Sequence, residues 1–207
     1  MISFIYFDIG GVLINDLDNR EKWSKLRDDI GVKKEFENDF EKLFSEYEYN
    51  GLCLNKDVDI LIPIFSEKFG MNFPKDYSLL EDMVNRFQIN ESVWPLVFKL
   101  KKNVRLGLLT NIYPRMLELN FKKGLIPPID WDVIIDSSVV GFQKPDLRIY
   151  SVAEEKSETK KEEILFIDDR RENIEAAAEF GWQTILYDRN DTEKSNKLIY
   201  SICKELL

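Results

Sequence analysis

Four places in this chain set chemically able side chains just past apolar runs. The first is Asp8 in "SFIYFDIGGVLIND" (3–16), a lone carboxylate followed closely by Gly10 and Gly11. Glycines beside an acid let a ligand approach the backbone with little steric obstruction, although an aspartate here can also simply cap a turn. The second is Thr110-Asn111 in "GLLTNIYPR", where a hydroxyl and turn N–H groups form either a phosphate cradle or a plain turn. The third is Lys144 in "GFQKPDLRIY". Pro145 disfavours the α region for it, so its ammonium is held in a turn, as a solvated group or as the partner of a phosphate or aspartate. The fourth is "FIDDRRENI", where Asp168 and Asp169 close an apolar run and open a helical one, with Asn173 four residues beyond Asp169 and on its helix face. Acids there complement a helix N-terminus. Two adjacent carboxylates also repel each other unless a cation sits between them, and their hard oxygens favour magnesium, with water and substrate phosphate completing its shell.

The composition narrows the chemistry further. The chain has 207 residues, 44% of them apolar, which allows one large domain or a domain carrying an insert, with a real core. It has no histidine, which excludes Ser-His-Asp and Cys-His nucleophile systems within the chain and any imidazole zinc site. Acid–base work falls to carboxylates, lysine, tyrosine or water. A net charge of −9 argues against nucleic acid or an anionic membrane as partner, but not against a small anionic substrate. Cys53 and Cys203 lie far apart without metal-type spacing and read as free buried thiols. No signal-peptide pattern opens the chain and no apolar run is long enough for a membrane span, so the expected compartment is the cytoplasm.

Elements that could position these residues are visible in the apolar pattern. "FIYFD" (4–8), "RLGLLTN" (105–111), "DVIIDS" (132–137), "ILFIDD" (164–169) and "QTILYD" (183–188) read as strands, the near-continuous runs suiting a sheet covered on both faces. Helical patterns separate them, the clearest being "DDRRENIEAAAEFG", closed by Gly181 in a C-cap position. This alternation predicts an open α/β sheet, whose ligands gather at the carboxyl ends of the strands. Residues 16 to about 90 differ. They are rich in charge and aromatics at helical spacing (Phe36, Phe40, Leu43, Phe44, Tyr47; then Leu61, Phe65, Phe69; then Leu79 to Phe87) and read as an inserted helical cap, the alternative being ordinary crossover helices packed on the sheet. The tail places Leu198, Ile202, Cys203 and Leu206 on one expected packing face.

The order of these motifs (Asp, then Thr, then Lys-Pro, then an acid pair) resembles the four motifs of the haloacid dehalogenase (HAD) superfamily, and a helical insert after the first motif is similar to its subfamily I. The resemblance implies a Rossmann-like parallel sheet core at 1–14 and 93–207 and an α-helical cap at 15–92. It implies that Asp8 attacks phosphorus to form an aspartyl-phosphate that water hydrolyses, with Lys144 steadying nucleophile and phosphoryl charge. Thr110 and Asn111 match the phosphate-binding position together with Lys144. The implied magnesium ligands are Asp8, Asp168, Asp169 and Gly10, which has only its backbone to offer, and Asn173 falls where many members carry a further acid. The implied partner is a small phosphorylated metabolite, handled by a monomer or homodimer.

One position departs from the pattern. Most phosphatases of the superfamily read Asp-x-Asp in the first motif, the second acid serving as acid–base catalyst, whereas this chain reads Asp8-Ile9-Gly10. Loss of such a group commonly costs about 10²–10⁴-fold in rate. Asp16 could supply a carboxylate if the loop folds back. The favoured expectation is a magnesium-dependent phosphatase for a small phosphomonoester such as a sugar phosphate. The alternatives are a non-catalytic binding or regulatory relative and, less favoured because the acid pair is intact, a haloacid dehalogenase. Selectivity would rest on cap residues such as Trp23, Phe44, Tyr47 or Tyr49.

Overall fold

A computed structural model of the chain describes residues 1–17 and 20–206, the side chains of residues 20, 49 and 50 excepted. Its strands are β1 (Phe4–Phe7), β2 (Ile14–Asn15), β3 (Gln88–Ile89), β4 (Arg105–Thr110), β5 (Val133–Asp136), β6 (Ile164–Asp168) and β7 (Gln183–Leu186). Its α-helices are α1 (Arg20–Asp29), α2 (Glu37–Tyr47), α3 (Leu61–Phe69), α4 (Leu79–Asn85), α5 (Trp94–Leu100), α6 (Met116–Lys122), α7 (Ser137–Val140), α8 (Leu147–Ser157), α9 (Arg171–Phe180) and α10 (Thr192–Ile202). Five strands form one parallel sheet in the order β5-β4-β1-β6-β7, an α/β fold with β1 at its centre. Each apolar run becomes a strand that stops at or just before its polar end.

Alternation along β1 divides the core in two. Phe4 and Tyr6 join Leu109, Tyr150, Phe166 and Trp182 on one face, with the Tyr6 and Trp182 rings stacked at 5.6 Å. Ile5 and Phe7 face the other way, into a cluster that continues through Leu106, Leu165 and Ile167 to the helices of the insert. Gly107 in β4 is required by this packing, because a Cβ there would run into the rings of Phe4 and Tyr6.

Helices α1 to α4 follow β2 and precede β3. Their own packing is aromatic, with Phe40 and Phe65 centroids 4.7 Å apart and Trp23 and Phe44 at 4.8 Å. Gly70 ends α3 and Gly181 ends α9, both in the left-handed conformation that glycine adopts without strain. The two short strands pair antiparallel, Ile14 opposite Ile89 and Asn15 opposite Gln88, so the chain enters and leaves the helical segment side by side. No described helix is long and apolar enough to cross a membrane.

The tail differs from expectation. Ile199 and Cys203 are fully buried and Ser195 nearly so, whereas Leu198 and Ile202 are 45% and 42% exposed. Positions 195, 199 and 203 form one i, i+4 row, and it is this row, not the neighbouring one through 198 and 202, that meets the core. Leu206 is half-buried against the core on a short 3-10 turn beyond α10.

Candidate active site

Asp8 directly follows the central strand. Its N–H donates to the Ile167 carbonyl at 2.9 Å, which fixes the residue at the carboxyl end of the sheet. Lys144 reaches it from the turn before α8. Asn111, at the end of β4, accepts from the Lys144 N–H at 2.7 Å and donates to its carbonyl at 2.8 Å, tying that turn to the sheet. The Lys144–Pro145 peptide bond is cis. The ammonium donates to Asp8 Oδ1 at 3.0 Å, Asp168 Oδ2 at 2.6 Å and the Leu109 carbonyl at 2.9 Å, so all three donors are used. Burial opposes this charge, but Asp168 and then Asp8 outweigh it and hold Lys144 above the ordinary lysine pKa. Burial also pushes the Asp8 carboxyl well above the usual carboxylate value; Lys144 pulls it back, and Asp168 and Asp169 add to the rise.

The two adjacent acids take different positions. Asp168 ends β6 fully buried and accepts from Lys144, from Asn173 Nδ2 at 3.1 Å on each oxygen, and from the Arg170 N–H at 2.8 Å. Its acceptor capacity is filled. Asn173 therefore serves Asp168 and not Asp169, contrary to the shared helix face read from the sequence. Helix α9 begins only at Arg171, which leaves Asp169 outside its periodicity. Asp169 instead faces the cavity and meets Arg189, whose Nε donates at 2.8 Å while a second guanidinium nitrogen reaches the same oxygen. Burial raises the Asp169 carboxyl; Arg189 counters, and Asp168 and Asp16 add to the rise.

One oxygen each from Asp8, Asp168 and Asp169 lies within 4.8 Å of the others. The Gly10 carbonyl, beside the same cavity, accepts no hydrogen bond among the described residues. A set of hard oxygens with converging negative charge fits magnesium, and Asp8 and Asp169 retain lone pairs that Asp168 does not.

The paired glycines have separate reasons. The loop doubles back on itself, with Leu13 and Ile14 N–H groups on the Ile9 carbonyl at 2.9 and 3.0 Å and the Gly11 N–H on the Ile14 carbonyl at 2.8 Å. Asn90 holds the return, donating to the Val12 carbonyl at 2.8 Å through its side chain and to the Leu13 carbonyl at 2.9 Å through its backbone. Gly11 has φ 71°, and a Cβ there would overlap both Asp169 and Arg189. A Cβ on Gly10 would overlap Asp16 Oδ2, with Asp16 Cγ 3.5 Å away. The carboxylate of Asp16 thus fills the space of the side chain that residue 10 lacks.

These groups line a cavity of 790 Å³ between sheet and helices. Asp8, Gly10, Asp16, Asn111, Lys144 and Asp169 reach it from the sheet side, and Trp23, Glu41, Phe44 and Glu48 from the helical segment. Glu41 accepts from Trp23 Nε1 at 2.7 Å and pairs with Arg27 at 3.0 Å, and Glu48 accepts from the buried Tyr113 hydroxyl at 2.6 Å. Tyr47 is half-buried against the main core and does not line the cavity, and the side chain of Tyr49 lies outside the described residues. Thr110 is 2% exposed at the end of β4, behind the cavity wall that Asn111 forms. Arg189, Asn90 and the Tyr113–Glu48 pair carry no motif in the sequence. Of these Arg189 had a signal, being a cation just past the last strand of the sheet, on the edge where the acids collect.

The chain is matched over residues 2–181 by the haloacid dehalogenase-like hydrolase family. It is 29% identical over 119 residues to the GMP/IMP nucleotidase YrfG of Escherichia coli K12, a match covering 56% of this chain and 51% of that protein. The chain spans about half or less of the length of the curated relatives it matches. A predicted HAD-like family hydrolase from Porphyromonas gingivalis superposes with a TM-score of 0.76 at 28% identity, covering 96% of this chain and 98% of the other. A HAD family enzyme of Bacteroides thetaiotaomicron, solved as the wild-type protein with magnesium and inorganic phosphate, shares the fold at TM-score 0.73 and 21% identity, over 91% of this chain and 96% of the other. With the family matched over most of its length and the sheet, the buried lysine and the three aspartates in one place, the chain belongs to the haloacid dehalogenase-like hydrolases.

Proposed function

We propose that the chain is a magnesium-dependent phosphatase acting on a small phosphomonoester, such as a sugar phosphate, through an aspartyl-phosphate on Asp8. The observation that carries this reading is the convergence of Asp8, Lys144 and Asp169 on the floor of one cavity, the ammonium 3.0 Å from Asp8 and the carboxylates within 4.8 Å of each other. A carboxylate and a phosphate dianion repel, so the encounter needs local positive charge. Lys144 supplies one unit. Asp8 and Asp169, with the Gly10 carbonyl, would hold magnesium, which supplies further charge neutralisation of the phosphoryl oxygens. The Asp8 oxygen not shared with Lys144 attacks phosphorus as the ester oxygen departs, and water then cleaves the acyl phosphate, returning Asp8 to its carboxylate. Asp168, itself held by Asn173, keeps Lys144 in place, and Asn111 fixes its turn. The helical segment, residues 15–92, acts as the cap that shields the site, and Glu48, Tyr113, Asn111 and Gln143 offer hydrogen-bonding groups suited to a hydroxyl-rich substrate. The nucleotidase activity in the name of the E. coli relative and the magnesium and phosphate bound by the Bacteroides enzyme support the same reading.

Phosphate release from p-nitrophenyl phosphate and from a panel of metabolite phosphoesters, with magnesium and with EDTA, tests this. Magnesium-dependent turnover abolished by Asp8→Asn is the expected result. Turnover that survives Asp8→Asn, or none across the panel, would overturn it. Phosphate or magnesium binding without turnover would identify a non-catalytic relative, the reading for which the missing acid at Gly10 speaks.

A further inference from the structure

Hydrolysis of a phosphomonoester moves a proton twice. The departing alkoxide must be protonated, and the water that attacks the phosphoenzyme must be deprotonated. With no histidine in the chain, a carboxylate is the natural carrier. Most carboxylates of the cavity are committed. Asp8 is the nucleophile, Asp168 is buried with its acceptor sites filled, and Asp169 faces the cation site. Glu41 and Glu48, on the helical side, are held by Trp23, Arg27 and Tyr113, and Glu172 pairs with Arg170 at 3.8 Å.

We infer that Asp16 is the acid–base catalyst of this site, delivering from six residues downstream the carboxylate that Gly10 lacks. The inference rests on the phosphatase reading above. The doubled-back loop at 9–14 and the pairing of Asn15 with Gln88 return the chain over its own start. Asp16 Oδ2 then occupies the place of a Gly10 side chain, two residues from the nucleophile. Arg189 donates to the other oxygen, Oδ1, at 3.3 Å, which orients the carboxyl group with one edge on the guanidinium and one toward Gly10. The same arginine bridges to Asp169, so Asp16 is positioned from the cation site itself. Glycine at position 10 is then a requirement: any larger side chain would displace the carboxylate that works there.

The steps balance. As Asp8 bonds to phosphorus, the bond from phosphorus to the ester oxygen breaks and the carboxylic acid of Asp16 gives its proton to that oxygen, releasing an alcohol. The Asp16 carboxylate then takes a proton from water as the water oxygen bonds to phosphorus. The bond from phosphorus to Asp8 breaks, its electron pair returning to Asp8, and Asp16 is again protonated.

Leaving-group dependence gives the test. Glycerol 2-phosphate expels a basic alkoxide, whereas p-nitrophenyl phosphate expels a stable phenolate that needs no proton. In Asp16→Asn, turnover of glycerol 2-phosphate is expected to fall by about 10²–10⁴-fold. With p-nitrophenyl phosphate the same variant should release about one nitrophenolate per chain in a rapid burst and then stall, because only the second step needs the base. Gly10→Ala, which pushes Asp16 aside, should reproduce this pattern, and Gly10→Asp combined with Asp16→Ala should regain at least tenfold over Asp16→Ala alone. Equal losses on both esters without a burst would mean a structural role and overturn the inference, as would an Asp16→Asn protein as active as the wild type. If wild-type turnover is not abolished by Asp8→Asn, the phosphatase reading has failed and this inference falls with it. Circular dichroism and urea midpoints establish that each variant is folded.

Discussion

Lys144 gives the site its most measurable physical property. Its side chain is 1% exposed and lies between two buried carboxylates, one of them, Asp168, with no exposed surface. Lys144→Met keeps most of the aliphatic stem and its packing but removes the ammonium, leaving Asp8 and Asp168 to repel each other without the charge that offsets them. Breaking a buried pair from one side costs about 3–5 kcal/mol. At about 2–4 °C per kcal/mol for a chain of this size, the melting temperature should fall by roughly 6–20 °C. The loss also has a pH sign. The Asp8 carboxyl already sits above its unfolded value, and the variant loses the group that pulls it back. A folded pKa raised above the unfolded one means stability that is present at low pH and lost as pH rises through the folded pKa; wild-type Asp8 already sits at about 8, so the defect should grow above about pH 8, where the wild-type carboxyl ionises and the variant's stays protonated. Urea unfolding followed by the fluorescence of the four tryptophans, in EDTA, measures both effects. Adding Asp168→Asn to Lys144→Met should recover at least about 1 kcal/mol, since it removes the charge left stranded. A Lys144→Met protein destabilised by less than about 1 kcal/mol, or a double variant worse than the single one, would refute this account.

Two further outcomes follow from the same geometry. Gly11→Ala strains a residue at φ 71° and drives a methyl group into Asp169 and Arg189, so it should cost about 1–3 kcal/mol in stability and weaken magnesium binding in calorimetry; unchanged binding would mean that Asp169 is not a ligand. Burial pushes the Cys53 and Cys203 thiols up to about 12 and about 11, so at pH 8 the folded protein should react with iodoacetamide far more slowly than in urea, the rate climbing as pH rises toward those values. Rapid labelling of the native chain at pH 8 would contradict their burial.

Much of this arrangement is legible in the sequence, and the reason is topological. In a parallel sheet every strand ends on the same edge, so acids and a lysine written after separate apolar runs must converge there. Asp8, Asn111, Lys144, Asp168 and Asp169 were readable on that basis. The division of labour between Asp168 and Asp169 was not, because it depends on where α9 starts, and a helix boundary shifts by a residue or two without altering its apolar pattern. Asp16 was legible only as a conditional. Its return over Gly10 depends on two strands of two residues each, too short to show any period, and on Asn90, which lies far along the chain. Arg189 was lost among other surface charges, and the tail misled because two adjacent rows of the helix are both apolar.

The Ile14–Asn15 and Gln88–Ile89 ladder also constrains motion. Both passes between sheet and helices run through this narrow seam, stitched by main-chain hydrogen bonds and braced by Asn90. A rigid swing of the helical segment has its pivot here, since the chain is continuous nowhere else between the two parts. Arg115 grips Asp57 at 2.5 Å and Asp59 at 2.9 Å, and Ser137 holds the Cys53 carbonyl at 2.5 Å, contacts that such a swing would have to break. In the phosphatase reading, a ligand entering by such a swing would have to part these polar links, so salt that loosens the arginine pairs should hasten entry and departure without touching the aspartates below.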